Sequence, residues 1–131
     1  MTQRDLESRD DIIMVLQAFY HKVLTDPVIG HFFTQVVPLD LKAHLPVITD
    51  FWESVLFQSK GYRKNVMEVH QHIHQLSVIR KEHLDHWVAV FTQTIDQHFV
   101  GGTASLMKQR AASVAMLMDI KLNHPPINKI Q

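Results

Sequence analysis

The sequence predicts an all-α domain, and three observations support this fold class. Apolar residues recur at intervals of three and four along most of the chain, which is the period of an α-helix. Proline and glycine divide this pattern into segments of helix length. No two neighbouring segments alternate as paired strands do. The 131 residues, 46% of them apolar, are enough for one small domain of about five or six helices.

The first helix begins near Ile12, after a polar N-terminus. We expect residues 1–9 to be frayed or to form a short leading helix, and Ser8 or Asp10 to cap the helix that follows. Asp26-Pro27 ends it, Gly30 marks the turn, and a short helical turn is expected around residues 31–33. The apolar stripe of this first helix consists of Ile12, Ile13, Val15, Leu16, Phe19, Tyr20, Val23 and Leu24.

The second helix carries a wide apolar face after residue 40. Pro46 lacks a backbone donor and clashes with a preceding helical turn, so the helix begins shortly before it or is kinked there. Gly61 is expected to close this helix, and residues 57–66 to form a loop. The apolar face consists of Leu41, Leu45, Ile48, Phe51, Trp52, Val55 and Leu56.

Residues 67–76 hold three histidines at alternate positions, and two structures are possible. As a strand, this segment places His70, His72 and His74 on one face, where they suit a zinc ion. As a helix, it places His70 and His74 on one face and turns His72 away. The apolar spacing favours the helix, which weakens the prediction of a zinc site.

Two further helices complete the chain. A long helix runs from about Arg80 to Val100 and ends at Gly101-Gly102. Thr103 is expected to cap the last helix, and a loose tail follows from Asn123. The stripe predicted for the last helix contains Leu106, Met107, Arg110, Ala111, Val114, Leu117 and Met118.

The composition excludes several classes of protein. Thirteen basic residues balance thirteen acidic ones, which gives no electrostatic basis for binding nucleic acid or anionic membranes. The absence of cysteine excludes disulfides and thiolate chemistry and fits a reducing cytoplasm. The polar N-terminus does not resemble a signal peptide, and no apolar run approaches the roughly 20 residues that span a bilayer. We therefore expect a soluble cytoplasmic protein.

Histidine is the compositional outlier, because half of the 10 histidines lie between Tyr62 and Phe91. His74 is either a core histidine or a single imidazole ligand to iron, and haem needs only one such ligand and an apolar slot. Tyr20, His44 and Trp87 carry polar groups on otherwise apolar faces. They either find partners in the core or donate hydrogen bonds to a small polar ligand.

Three motifs give the chain a resemblance to the truncated haemoglobins, most closely to their third group. They are LQAFYHKVLTDPVIGHFF, HLPVITDFW and HQLSVIRKEHLDHWVAVF. They resemble, in order, the family's Phe-Tyr pair with an Asp-Pro turn, its third-group histidine with a Phe-Trp pair, and its proximal histidine followed by a tryptophan. The resemblance covers about residues 10–120. It implies a shortened globin, a two-over-two helical sandwich, with one haem domain over residues 1–122 and a flexible tail over 123–131.

The resemblance also implies roles for single residues. His74 takes the position of the proximal iron ligand, with His70 as its rival, because His74 alone keeps gapless spacing to Trp87. Tyr20, His44 and Trp87 take the distal positions that contact a bound ligand. The implied cofactor contacts are Phe33 wedged against the porphyrin, Ile48 and Phe51 in the distal pocket, Ile79, and Arg63 and Lys64 near the haem propionates.

The function implied by this resemblance is binding of dioxygen, nitric oxide or another diatomic ligand at a haem iron. Oxygen carriage, nitric-oxide dioxygenation and peroxidase-like chemistry all use that iron, and turnover needs an external reductase. One alternative is a non-haem di-iron or zinc helical bundle of the haemerythrin type, for which Glu68–His72 and Asp40–His44 approach the usual ligand spacing. Another is a purely structural or partner-binding helical domain.

Overall fold

The computed structural model describes residues 3–32, 34, 40–57 and 79–123. This part of the chain contains four helices: α1 (Arg9–Val23), α2 (Leu41–Phe57), α3 (Lys81–His98) and α4 (Gly102–Asn123). The described residues contain no strand, which confirms the all-α prediction for this part of the chain. The predicted helix at residues 67–76 and the end of the predicted tail, residues 124–131, lie outside the described residues.

The four helices form two packed pairs. α1 packs on α2, and α3 packs along α4; α1 then contacts α3, and α2 contacts α4. This is a two-over-two arrangement of the globin type. The shared core is built from large side chains with almost no exposed surface, among them Phe19, Phe91, Ile95, Met107 and Met118. None of the helices in the described residues is both long enough and apolar enough to cross a membrane.

The turn after α1 follows from Asp26-Pro27, as predicted. The Asp26 carboxylate accepts hydrogen bonds from the backbone N–H groups of Val28 (2.8 Å) and Ile29 (3.1 Å). Gly30 is needed because a Cβ there would lie 2.9 Å from the carbonyl oxygen of Val23. The turn therefore returns the chain tightly against the end of α1.

The helix α2 begins five residues before Pro46, in agreement with the prediction that it starts only shortly before this proline. Asp40 caps it, since its backbone oxygen accepts from His44 N at 2.9 Å and its carboxylate accepts from Ala43 N at 3.3 Å. The short distance to the helix start limits the number of turns that the proline ring disturbs.

The N-terminal segment corrects two predictions. Residues 3–8 are neither frayed nor helical: Leu6 is buried, and Val100 N donates a hydrogen bond to the Arg4 carbonyl at 3.0 Å. The start of α4 is capped by Asp5, whose carboxylate accepts from Thr103 N (2.9 Å) and Ala104 N (2.8 Å). Thr103 lies inside the helix, so the prediction that it is the cap was wrong.

The caps and faces of two other helices also differ from the prediction. Ser8 stands at the N-cap of α1, but its side chain makes no capping hydrogen bond; its backbone oxygen accepts from Asp11 N instead. The helix α4 extends through Asn123 and buries a narrow face of small residues and methionines, and Leu117 is 48% exposed. The buried face consists of Ala104, Met107, Ala111, Ala115 and Met118. Small side chains on this face suit close packing of α4 against α3. The sequence had instead predicted a stripe with more large residues.

Candidate functional site

Tyr20 and His44 meet at the junction of α1 and α2. Tyr20 lies in the last turn of α1 and is 6% exposed, and His44 lies in the first turns of α2 and is half-buried. The Tyr20 hydroxyl and His44 Nε2 share a hydrogen bond of 2.9 Å, and the two rings meet edge to face with centroids 5.4 Å apart. The structure therefore brings together two of the residues that the sequence singled out.

Burial determines the chemical state of Tyr20. It raises the pKa of the phenol above its ordinary value of 10.0, so Tyr20 keeps its proton across the physiological pH range. A protonated phenol has one hydrogen to donate and can also accept, and a neutral imidazole has one donor and one acceptor nitrogen. Tyr20 thus enters this bond as a neutral phenol, and the position of the hydrogen on the His44 ring decides which partner donates.

Trp87 lies in the first half of α3 and reaches the same region through aromatic contacts. Its ring stacks on Phe91 with centroids 5.4 Å apart and an interplanar angle of 6°, and it meets the edge of Phe19 at 5.9 Å. Phe19 also meets Tyr20 edge to face at 5.2 Å. Phe19 therefore links Tyr20 to Trp87, and His44 joins this group through its bond to Tyr20, a grouping that the sequence alone left open.

The helix α2 presents an unusual apolar face beside this group. Only Thr49 and Trp52 are fully buried on it, although most of its side chains are large and apolar. Ile48 and Phe51 are half-buried on this face, and Ile79, just before α3, is 6% exposed. The half-buried apolar side chains that pack against the core from α2 are Leu41, Leu45, Ile48, Phe51, Val55, Leu56 and Phe57. A flat apolar cofactor would cover such a face, so these residues fit the porphyrin of a haem.

Several predicted site residues lie outside the described residues. They are the candidate iron ligand His74, its rival His70, and the implied cofactor contacts Phe33, Arg63 and Lys64. Their roles remain predictions. The Glu68–His72 pair of the alternative metal reading lies outside as well, and Asp40 of the other pair caps α2. Across the described ranges no group of three or more His, Asp or Glu side chains is placed to hold a metal ion.

The sequence reasoning missed a second set of histidine contacts, where α3 begins. His86 Nε2 lies 2.7 Å from Asp26 Oδ2, and the His83 ring meets the rings of Phe32 and His31. A local signal existed only for His83, which stands three residues after Arg80, where a side chain can reach back to the helix start. The contacts to Asp26 and His31 join distant parts of the chain, and no local pattern indicates them.

The helix arrangement and the grouping of Tyr20, His44 and Trp87 define a globin-like fold of the shortened, two-over-two class. Among solved structures, the chain is similar to the crystal structure of group III truncated hemoglobin from Campylobacter jejuni, with a TM-score of 0.78. The match covers 92% of this chain and 95% of that chain at 21% sequence identity. At this identity the similarity establishes the fold. No protein-family model matches the chain, and no curated protein sequence matches it.

Proposed function

We propose that this chain is a haem protein of the truncated haemoglobin family, third group, which binds dioxygen or another diatomic ligand. The observation that carries the proposal is the partly buried hydrogen bond between Tyr20 and His44. A neutral phenol next to an imidazole suits recognition of a small polar ligand, and the half-buried apolar side chains of α2 support a cofactor contact on the same helix as His44. The motif HLPVITDFW and the match to a group III truncated hemoglobin support the same conclusion.

The cofactor contacts that we propose come from two sources. Ile48 and Phe51 lie on the half-buried apolar face of α2, and Ile79 is a buried apolar residue just before α3. The resemblance supplies the rest: His74 as the axial ligand, Phe33 against the porphyrin, and Arg63 and Lys64 for the propionates. Each residue has the chemistry its role requires, since imidazole binds iron and cationic side chains pair with carboxylates.

The haem would supply an iron with one open coordination position for a diatomic ligand. The residues of this chain do the rest. Trp87 has an indole N–H that can only donate, and Tyr20 keeps its O–H because burial raises its pKa. Phe19 and Phe91 are fully buried, and in such apolar surroundings a ligand that left these donors would find few replacements for the hydrogen bonds. Its departure would therefore be slow.

His44 controls how much of this donor capacity Tyr20 can use. When His44 Nε2 carries the hydrogen, it donates to the Tyr20 oxygen, and Tyr20 is the acceptor of this bond. When Nε2 lacks the hydrogen, Tyr20 donates to His44. The physiological role in this proposal is ligand carriage or ligand activation with electrons from an external reductase. We place it in the cytoplasm because the chain has no cysteine.

The first experiment is a titration of the purified protein with hemin, followed by visible spectra of the ferric form and of the reduced form under carbon monoxide. We expect saturable binding at one haem per chain and the spectrum of an iron with one histidine ligand. His74→Ala should abolish this spectrum, and His70→Ala and His72→Ala should retain it. If the wild-type protein gives no Soret shift, the haem assignment is wrong; if only His70→Ala abolishes the spectrum, His70 is the ligand.

A further inference from the structure

The start of α3 is held by a histidine in a position where helices usually use glutamate or glutamine. The backbone N–H of Arg80 donates a hydrogen bond to His83 Nδ1 at 2.9 Å, and His83 N donates back to the Arg80 carbonyl at 3.0 Å. Glutamate and glutamine oxygens make this contact in a capping box, and their acceptor persists near neutral pH. An imidazole nitrogen loses its acceptor when it is protonated.

The surroundings of His83 disfavour its charged form. Its ring lies edge to face with the buried Phe32, with centroids 5.0 Å apart, and 6.2 Å from the ring of His31. Burial lowers the pKa of His83 below its ordinary value of 6.5, and the charges of His31 and Arg80 act in the same direction, whereas Glu82 opposes them. The positive end of the α3 dipole also repels a cation at this position.

The other charged groups near this helix start are already paired. Asp26, on the turn after α1, accepts from two backbone N–H groups and contacts His86 at 2.7 Å. On α3 itself, Lys81 pairs with Asp85 at 2.8 Å, and Asp119 of α4 adds to the field at Lys81. Among the described residues, a new charge on His83 would therefore meet attraction from Glu82 and repulsion from His31 and Arg80.

We propose that His83 is an acid-sensitive cap of α3. Its protonation breaks the hydrogen bond that holds the first turn of the helix and thereby changes the position of Trp87, one turn further along. Protonation converts Nδ1 from an acceptor into a donor that faces the N–H of Arg80, so the capping bond is replaced by a repulsion. Trp87 follows His83 by four residues and is the polar residue that α3 contributes to the candidate site. A fall in pH would thus affect the candidate site through His83, which is not itself one of the site's hydrogen-bonding residues.

The release is confined to the beginning of the helix. Farther along α3, Phe91 and Ile95 are fully buried in the shared core. The part of α3 from Phe91 onward therefore stays docked. The sign follows from the lowered pKa of His83: the capping contribution is complete above the unfolded-state value of 6.5 and is lost as the pH falls through the folded-state pKa.

The test follows the amide of Arg80 and the imidazole of His83 by NMR between neutral and mildly acidic pH. In the wild-type protein, the neutral imidazole should be the tautomer with hydrogen on Nε2. Acid should speed exchange of the Arg80 amide by roughly 3- to 10-fold relative to His83→Gln at the same pH. His83→Gln keeps an acceptor that does not titrate, so its Arg80 amide and Trp87 indole signals should not respond to acid. The Ile95 amide, in the docked part of α3, serves as the internal reference.

Two further variants make the result decisive. His83→Ala should give fast Arg80 exchange at both pH values, and His31→Gln should move the acid response to higher pH because one repelling charge is gone. The proposal is overturned if His83→Gln retains the wild-type acid response, or if the neutral His83 imidazole carries its hydrogen on Nδ1. The tautomer measurement needs only the wild-type protein, so the proposal stays falsifiable even where His83→Ala fails to fold.

Discussion

Two regions of this molecule bury polar side chains and treat them in opposite ways. The N-terminal brace, residues 3–8 together with Asp11, contains carboxylates that stay charged. The ligand corner, formed by Tyr20, His44 and Trp87, contains a phenol that stays neutral. In the brace, Arg4 pairs with Asp11 through two hydrogen bonds of 2.6 and 2.8 Å, and Asp5 accepts from two N–H groups of α4. In the corner, the neutral phenol of Tyr20 shares a hydrogen bond with His44 Nε2.

The pKa shifts of the two regions follow from this difference in partners. Burial raises the pKa of Asp5, but hydrogen bonds from Thr103, Ala104 and Leu6 outweigh it, so the net shift is downward. The bond from Arg4 lowers the pKa of Asp11. Burial alone raises that of Tyr20. The brace holds the fold by charge, whereas the corner contains a neutral phenol that, under the proposed function, would donate to a ligand.

The largest predicted effect is at Gly101, which lies against the brace residue Asp5. The Gly101 φ of +147° is rarely adopted by other residues, and a Cβ there would lie 2.4 Å from Cγ of Asp5. Gly101→Ala should therefore strain the backbone and displace the Asp5 cap, at a cost of roughly 2–4 kcal/mol in the free energy of unfolding. Gly102→Ala is the matched control, because nothing lies within 4 Å of its Cβ position, and its stability should be unchanged or slightly raised. Urea unfolding measures both, and equal losses would contradict the proposed clash.

The next effect in size is the loss of the cap itself. Asp5→Ala removes the acceptor for Thr103 N and Ala104 N and should cost about 1–2 kcal/mol. Thr103→Ala should cost less, because the threonine side chain is not the cap. The double variant Asp5→Ala with Gly101→Ala should lose less than the sum of the two single losses, since each disrupts the same contact. Additive losses would mean that Gly101 acts independently of Asp5.

The brace also predicts the acid response of stability. Because the folded-state pKa of Asp5 lies below its ordinary value of 3.8, the cap contributes fully above that value and is lost as the pH falls through the folded-state pKa. The difference in unfolding free energy between wild type and Asp5→Ala should therefore shrink toward low pH. A difference that is constant down to strongly acidic pH would show that the carboxylate charge does not hold α4.

The sequence predicted the parts of the fold that depend on neighbouring residues. The four helices, the turn at Asp26-Pro27 and the short distance from the start of α2 to Pro46 follow from spacing and backbone chemistry. The cap of α4 could not be predicted in this way, because Asp5 lies 98 residues before Thr103 and a local search selects Thr103 itself. The alanine-rich buried face of α4 was not predicted for a similar reason, because only packing against α3 selects alanine over leucine there.

The candidate site, too, was predicted from the sequence only in part. Polar groups on apolar stripes identified Tyr20, His44 and Trp87, but their grouping through Phe19 and the bond between Tyr20 and His44 is a property of the packed helices. The histidine contacts at the start of α3 were missed because His31 and Asp26 come from another part of the chain. Sequence pattern therefore indicates which side chains have unusual chemistry, and tertiary packing decides which of them act together.

The smallest effect on stability is expected in the ligand corner, at Tyr20. Tyr20→Phe removes one neutral hydrogen bond and preserves the ring contacts with Phe19, so it should change the free energy of unfolding by less than about 1 kcal/mol. Its effect on a bound ligand should be larger than its effect on the fold. In the haem-loaded protein, dioxygen should leave several-fold to roughly tenfold faster, which corresponds to one lost hydrogen bond.

The matched comparison for this variant is Trp87→Phe, which removes the indole N–H and keeps an aromatic ring beside Phe91. It should also speed dioxygen release, whereas Asp5→Ala should leave the release rate unchanged although it destabilises the fold more. Stopped-flow dissociation and urea unfolding of the same three variants separate the two regions. If neither Tyr20→Phe nor Trp87→Phe changes the release rate, the ligand corner is only another part of the core. If Tyr20→Phe alone changes it, the tyrosine and its bond to His44 carry the donor function without the tryptophan.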